Sequence, residues 1–188
     1  VIKKNIPLIK KNNILKTLKL LKDNYFLITL HRPETVDDPV KFKKLILIFE
    51  KLGKKFNKRF IFPTHPRTKK MIKKMDINRL NFIEFIDPLE FLDFLSLMKN
   101  SKIVFTDSGG VQEETSLLGV PCITIRKSTE RQLTIKEKTN ILTGYDYNKI
   151  CNAIIYFNKN KIKASKIFGD GNVANKIFDK LKTIYKHN

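Results

Sequence analysis

The chain has 188 residues, 41% of them hydrophobic, enough to bury one sizeable core, and it carries a net charge of +20. No apolar run approaches the roughly 18 residues of a membrane span, and the opening VIKKNIPLIKK sets charges where a signal peptide needs an apolar core, so a cytoplasmic protein is expected. The basic excess suggests a polyanion partner, yet only six of the 38 basic residues are Arg and the Lys are spread along the whole chain, which argues against a nucleic-acid or membrane-surface reader.

From residue 25 onward, short β-branched and aromatic runs alternate with longer stretches of helical period, the pattern of a parallel sheet covered by helices. Strands are predicted at 25–30, 59–63, 81–86, 103–106, 122–125 and 140–142. Helices are predicted at about 39–55, 66–75, 88–99, 110–118 and 130–137, with two more after Tyr145 and Asn172. Six strands with crossover helices make an α/β, Rossmann-like doubly wound domain, in which ligands bind beyond the carboxyl ends of the strands. His31 and Arg32 follow the first strand, His65 the second, Asp87 the third and Asp107-Ser108-Gly109-Gly110 the fourth.

The segment IVFTDSGGVQEETSLLGVPCITIR reads as strand, tight turn, helix, turn and strand. Two glycines at a helix start let an anion approach the backbone, where unpaired N–H groups and the helix dipole favour a phosphate. The same turn also fits an ordinary βα connection with Asp107 or Ser108 as N-cap. Glu114 lies one turn into the helix and can face the same ligand, although an acid there also simply complements the dipole. Arg131, in Thr129-Glu130-Arg131, can close over phosphates or pair with Glu114. His31 and Arg32 stand where they can neutralise a phosphate; a lone histidine such as His31 or His65 is more often a structural hydrogen bonder. Phe91, Leu92, Leu95 and Met98 have helical period and read as core packing. Cys122 and Cys151 lack neighbours at ligand spacing and read as buried small apolar residues.

The ordered set HRPET, FTDSGGVQEE, GVPCITIR, TER and Gly169-Asp170-Gly171 resembles the non-hydrolysing UDP-N-acetylglucosamine 2-epimerases over nearly the whole chain. The resemblance implies one half of a two-domain GT-B architecture. Residues 1–24 would form the region of the inter-domain linker helix and 25–188 the UDP-binding C-terminal domain; a further N-terminal catalytic domain, or a separate chain supplying it, would complete a homodimeric enzyme. It implies that Ser108, Gly109 and Gly110 cradle phosphate, that Glu114 holds the ribose, and that His31 and Arg131 stand at the phosphates with His31 acting in catalysis. The uracil is expected near Phe85 to Pro88, and Arg32 and His65 match an activating second site. No cofactor or metal is implied. Thr35 stands where the family usually has Asn, and Gln132 where it commonly has Pro.

Three other readings stay open: a 2-epimerase for a modified UDP-sugar such as a diacetamido-uronic acid, a GT-B glycosyltransferase domain, and a basic module binding nucleic acid or an acidic partner.

Overall fold

The structure is a computed structural model that describes residues 2–64, 66–74, 80–165, 167–169 and 171–185. Six strands, β1 (Tyr25–Thr29), β2 (Arg59–Pro63), β3 (Ile83–Ile86), β4 (Ile103–Thr106), β5 (Cys122–Thr124) and β6 (Asn140–Leu142), form one parallel sheet in the order β3-β2-β1-β4-β5-β6. The chain builds outward from β1 on one side, then returns to lay β4 on the other. The strand order therefore reverses between β1 and β4.

Alternation along each strand divides the core into two faces. Phe26, Ile28, Phe60, Phe62 and Phe105 pack with helices α4 (Pro39–Phe56) and α9 (Tyr147–Lys159); Tyr25, Leu27, Ile61 and Val104 pack with α1 (Ile2–Lys11), α6 (Phe91–Asn100) and α7 (Gly109–Leu118). The first face centres on Phe26, Phe49, Phe60 and Phe105, whose rings lie 4.9 to 5.5 Å apart at tilted or edge-on angles, the arrangement the ring quadrupole favours. On the second face Tyr25 is fully buried and donates to the Leu97 carbonyl at 2.5 Å; burial, and then Asp23, push its hydroxyl well above the ordinary tyrosine range.

Helix ends follow local chemistry. Asp38 caps α4 by accepting from the Lys41 N–H at 3.0 Å, and Asp146 caps α9 by accepting from Lys149 N–H at 2.8 Å. Gly119 closes α7 with φ 68°, and a Cβ there would come 2.8 Å from the Ala164 nitrogen, so both conformation and space require glycine.

Strands 59–63, 103–106 and 140–142 match expectation to the residue, and the others differ by one or two at an end. Three short or N-terminal helices go beyond the strand and helix periodicity: α1, α2 (Ile14–Thr17) and α3 (Pro33–Val36). Pro33 closes the exit from β1 by opening a helical turn at its first position, where a missing N–H costs nothing. The remaining helices are α5 (Pro66–Lys74), α8 (Gln132–Lys136) and α10 (Val173–Tyr185). Phe91 departs from its core assignment: as the first residue of α6 it is half-exposed, whereas Leu95 and Met98, a turn and more along, are fully buried. Both cysteines are buried as expected, and burial pushes the Cys122 thiol up to about 12. No described helix is long and apolar enough to cross a membrane.

The β5–β6 edge is tied to α7 by buried polar groups instead of apolar packing. Gln112 is fully buried; its Oε1 accepts from Thr129 Oγ1 at 2.7 Å and from Asn140 Nδ2 at 3.1 Å, while its Nε2 donates to the Ser108 carbonyl at 3.2 Å. Asn140 in turn accepts from Thr124 Oγ1 at 2.8 Å. Gln112→Leu keeps much of the volume but strands these partners in a dry interior, so it should lower unfolding free energy by roughly 2–4 kcal/mol, read from urea midpoints. A loss below about 0.5 kcal/mol would show that water reaches the network.

Candidate functional site

Thr29 and Thr106 pair as register partners, so the chain leaves β1 and β4 at the same level, at the point where strand order reverses. Asp107, the first residue beyond β4, is fully buried. Its carboxylate accepts from the His31 backbone N–H at 3.2 and 3.3 Å and from the Arg32 N–H at 3.1 Å; Arg32 Nε donates back to the Asp107 carbonyl at 2.9 Å. His31 Nδ1 lies 3.2 Å from Asp107 Oδ1. A buried carboxylate is tolerated only among donors, and here the donors belong to the loop after the neighbouring strand.

Asp107 is thereby unavailable as a cap for α7. Ser108 occupies the N-cap position, with φ −90° and ψ 129°, but its hydroxyl makes no capping bond. Among the described residues nothing accepts from the N–H groups of Gly109, Gly110 or Val111. Of the two readings of this turn, the self-capped βα connection is the one the geometry disfavours: the helix begins with free donors and a positive dipole end, which is an anion-binding arrangement. The glycines do not serve turn geometry either, since neither has a positive φ. A Cβ at Gly110 would meet only Ser108 Oγ at 3.8 Å, and one at Gly109 would lie 2.5 Å from Glu130 Oε1. What they keep open is approach to the helix end.

Around this end stand three of the chain's six arginines. Arg126 NH1 holds Glu130 at 2.8 Å, and Arg32 NH2 lies 3.7 Å from the same carboxylate. The Glu130 backbone N–H first, and Arg126 next, hold its carboxyl below the usual range. Thr129 positions this loop: its hydroxyl donates to Gln112 and accepts from the Arg131 N–H at 3.1 Å. Arg131 pairs with Glu113, not with Glu114. Glu114 is half-buried and has no hydrogen bond or ion pair among the described residues. Burial, reinforced by Glu113, raises its pKa above the ordinary glutamate value. A half-buried carboxylate without partners among the described residues, one turn along α7 from Gly110, is available to a ligand with hydroxyls.

Sequence reading located His31, Arg32, Ser108, Gly109, Gly110, Glu114 and Arg131, and the fold brings all of them to this one strand end. It missed the Asp107 weld, the Gln112 tie and the roles of Arg126 and Glu130. Only spacing hinted at the last two, because Arg126 and Glu130 flank a loop whose path the residue order alone does not reveal. Phe85 lies two strands away, in β3; its ring packs 5.7 Å from that of Phe62 against the phenylalanine face. His65 and Asp170 lie outside the described residues. Thr35 is fully buried with its hydroxyl 3.3 Å from that of Tyr145, and Gln132 opens α8 at its first position, donating to the Thr129 carbonyl at 2.6 Å. Proline suits that helix position equally, so the exchange leaves the backbone path intact. No cluster of three metal-ligating side chains occurs among the described residues.

Comparison with known proteins gives the family. The family model for UDP-N-acetylglucosamine 2-epimerase matches residues 2–182. The UDP-N-acetylglucosamine 2-epimerase of Methanococcus maripaludis is 38% identical over 191 residues, covering 95% of this chain and 52% of the relative. The UDP-2,3-diacetamido-2,3-dideoxy-D-glucuronate 2-epimerase of Pseudomonas aeruginosa is 31% identical over 161 residues, covering 85% of this chain and 45% of that protein. The crystal structure of the Methanocaldococcus jannaschii UDP-GlcNAc 2-epimerase in complex with UDP-GlcNAc and UDP superimposes with a TM-score of 0.84 at 36% identity, over 97% of this chain and 52% of that one. The chain thus spans about half the length of the curated relatives it matches. On the family match and on the strand-end arrangement it accompanies, the chain belongs to the UDP-N-acetylglucosamine 2-epimerase family.

Proposed function

We propose that this chain is the UDP-binding half, a C-terminal Rossmann domain, of a GT-B-type UDP-N-acetylglucosamine 2-epimerase. The observation that carries the reading is the uncapped start of α7, with free N–H groups at Gly109, Gly110 and Val111, at the reversal of strand order and beside His31, Arg32 and Arg131. The diphosphate seats on those donors and on Ser108. Glu114 accepts from the ribose hydroxyls. The uracil lies toward the end of β3, near residues 85–88.

The reaction supported by this arrangement is elimination and re-addition. A proton leaves C2 of the sugar, the C1–oxygen bond breaks, and UDP departs to leave a 2-acetamidoglucal; a proton then returns to the other face of C2 and UDP adds back at C1. The cycle is redox-neutral. It asks for a base at C2 and for stabilisation of the charge growing on the departing diphosphate. This half supplies the second, through the helix end, His31 and Arg131. The base, and the contacts that distinguish N-acetylglucosamine from a diacetamido-uronic acid, belong to the portion of the relatives that this chain does not cover, and the α1–α2 region is the connection toward it. Arg32 is already engaged by Asp107 and Glu34, which suits a structural role at least as well as an effector contact.

Calorimetry with UDP and ATP on this chain tests the seat. UDP should bind and ATP should bind at least tenfold more weakly; equal affinities would remove the uracil reading, and binding of neither would remove the seat. Gly110→Val is the sharper variant, since its side chain meets open space in the free protein yet fills the approach to the helix end. It should fold with stability within about 1 kcal/mol of the parent and lose UDP binding.

Glu114 gives an opposed pair of effects. Its folded pKa is raised, so the ionised form costs stability once pH passes above the unfolded glutamate value, and the cost is absent in acid. Glu114→Gln should accordingly be more stable than the parent at neutral pH, equal to it near pH 3, and about tenfold or more weaker for UDP. Thermal melts at the two pH values, with calorimetry, read both. A variant less stable at neutral pH would mean that the carboxylate has a structural partner.

A further inference from the structure

We propose that Asp107 is a positioning residue for His31: it holds the imidazole with its proton on Nδ1 and so leaves Nε2 as the nitrogen presented to the diphosphate. The proposal rests on the UDP-binding reading of the site for its ligand, though the placement of the proton stands by itself.

The argument begins with the two oxygens of the Asp107 carboxylate. Oδ2 receives both backbone N–H groups, of His31 at 3.3 Å and of Arg32 at 3.1 Å, while Oδ1 receives the His31 N–H at 3.2 Å and faces His31 Nδ1 at 3.2 Å. A carboxylate oxygen has only lone pairs to offer. An Nδ1 without a proton would set two lone pairs against each other, one of them on a fully buried carboxylate. With the proton on Nδ1 the same approach is attractive. A neutral imidazole then keeps its lone pair on Nε2, so the carboxylate facing one ring nitrogen at 3.2 Å decides the state of the other.

The backbone bonds add a second constraint, on where the ring sits. Because Asp107 holds the main chain of His31 by hydrogen bonds and faces its ring at 3.2 Å, the imidazole sits against the residue immediately before the α7 N-cap. The ring is otherwise open, with the His31 side chain 57% exposed and no partner for Nε2 among the described residues. When a diphosphate oxygen occupies the seat, a proton taken from solvent at Nε2 places an imidazolium between two anions, Asp107 on one side and the diphosphate on the other. As the C1–oxygen bond breaks and charge accumulates on the diphosphate, that Nε2–H is the donor that strengthens. Re-addition of UDP reverses the change, and His31 ends the cycle as it began.

The chain has three histidines, so the tautomer can be read directly. Histidine-selective 15N labelling with long-range proton–nitrogen correlation reports which ring nitrogen is protonated, and the signals missing in His31→Asn identify His31. The parent, at a pH where the ring is neutral, should show Nδ1 protonated and Nε2 bare, and UDP should add the proton at Nε2. In Asp107→Asn the amide oxygen belongs at the Oδ2 position, where two N–H donors converge, which turns the NH2 toward Nδ1; the ring should switch to the Nε2–H form. A parent already in the Nε2–H form, or the same tautomer in parent and variant, overturns the proposal. The parent spectrum alone decides it if Asp107→Asn does not fold. A tautomer set by Asp107 in a chain that fails to bind UDP would sink the UDP reading and leave the positioning role, whereas UDP binding with a tautomer indifferent to Asp107 would do the reverse.

Discussion

The site depends on one buried carboxylate. Asp107 is the first residue beyond β4, yet among the described residues the donors to its side chain come from the loop after β1. Two connections that leave adjacent strands in opposite directions are thus fastened at their roots. The fastening decides what α7 can do, because the carboxylate that would cap it is spent across the strand gap and the helix start is left with unpaired donors. A sheet of this order has a crevice at its reversal point by topology alone. Here the crevice also has a fixed width, set by hydrogen bonds of about 3 Å.

The strands were legible because each is a short continuous run of apolar side chains, as in Tyr25-Phe26-Leu27-Ile28, which the sheet buries on both faces, while the stretches between keep a helical period. Asp38 and Asp146 cap two of those helices in the structure. What stayed illegible was any contact whose partner lies far away in sequence. Asp107 beside Ser108-Gly109-Gly110 reads as a cap until the fold brings residues 31 and 32 against it. Gln112 reads as a polar helix residue until Thr129 and Asn140 close over it. Arg131 offered two neighbouring glutamates; Glu113 and Glu114 lie on different parts of the α7 surface, and only three-dimensional packing selects Glu113.

Charge illustrates the same limit. The net +20 is carried mostly by lysines with no common focus, whereas the start of α7 gathers Arg32, Arg126 and Arg131. Their forked donors are engaged by Glu34, Glu130 and Glu113, which keeps them in place without neutralising the helix end itself. Glu130 lies close enough to Gly109 that an incoming anion and this carboxylate would compete for the same arginines. A composition summary contains none of this arrangement, because position, not number, is what matters.

Helix α10 stands apart from this economy of fastenings. It runs from Val173 to Tyr185 with no buried residue, and Val173, Ile177, Phe178, Leu181 and Ile184 are all exposed along it. A helix of that length gains little from propensity alone, so its turns open at a small fraction of the free energy needed to open the sheet. Amide exchange across this chain is therefore a two-tier process, with the phenylalanine-lined strands protected to the limit of global unfolding and the last helix exchanging almost independently. Substitutions along α10 are correspondingly silent in a melting curve of the chain, however much they alter the apolar stripe it displays.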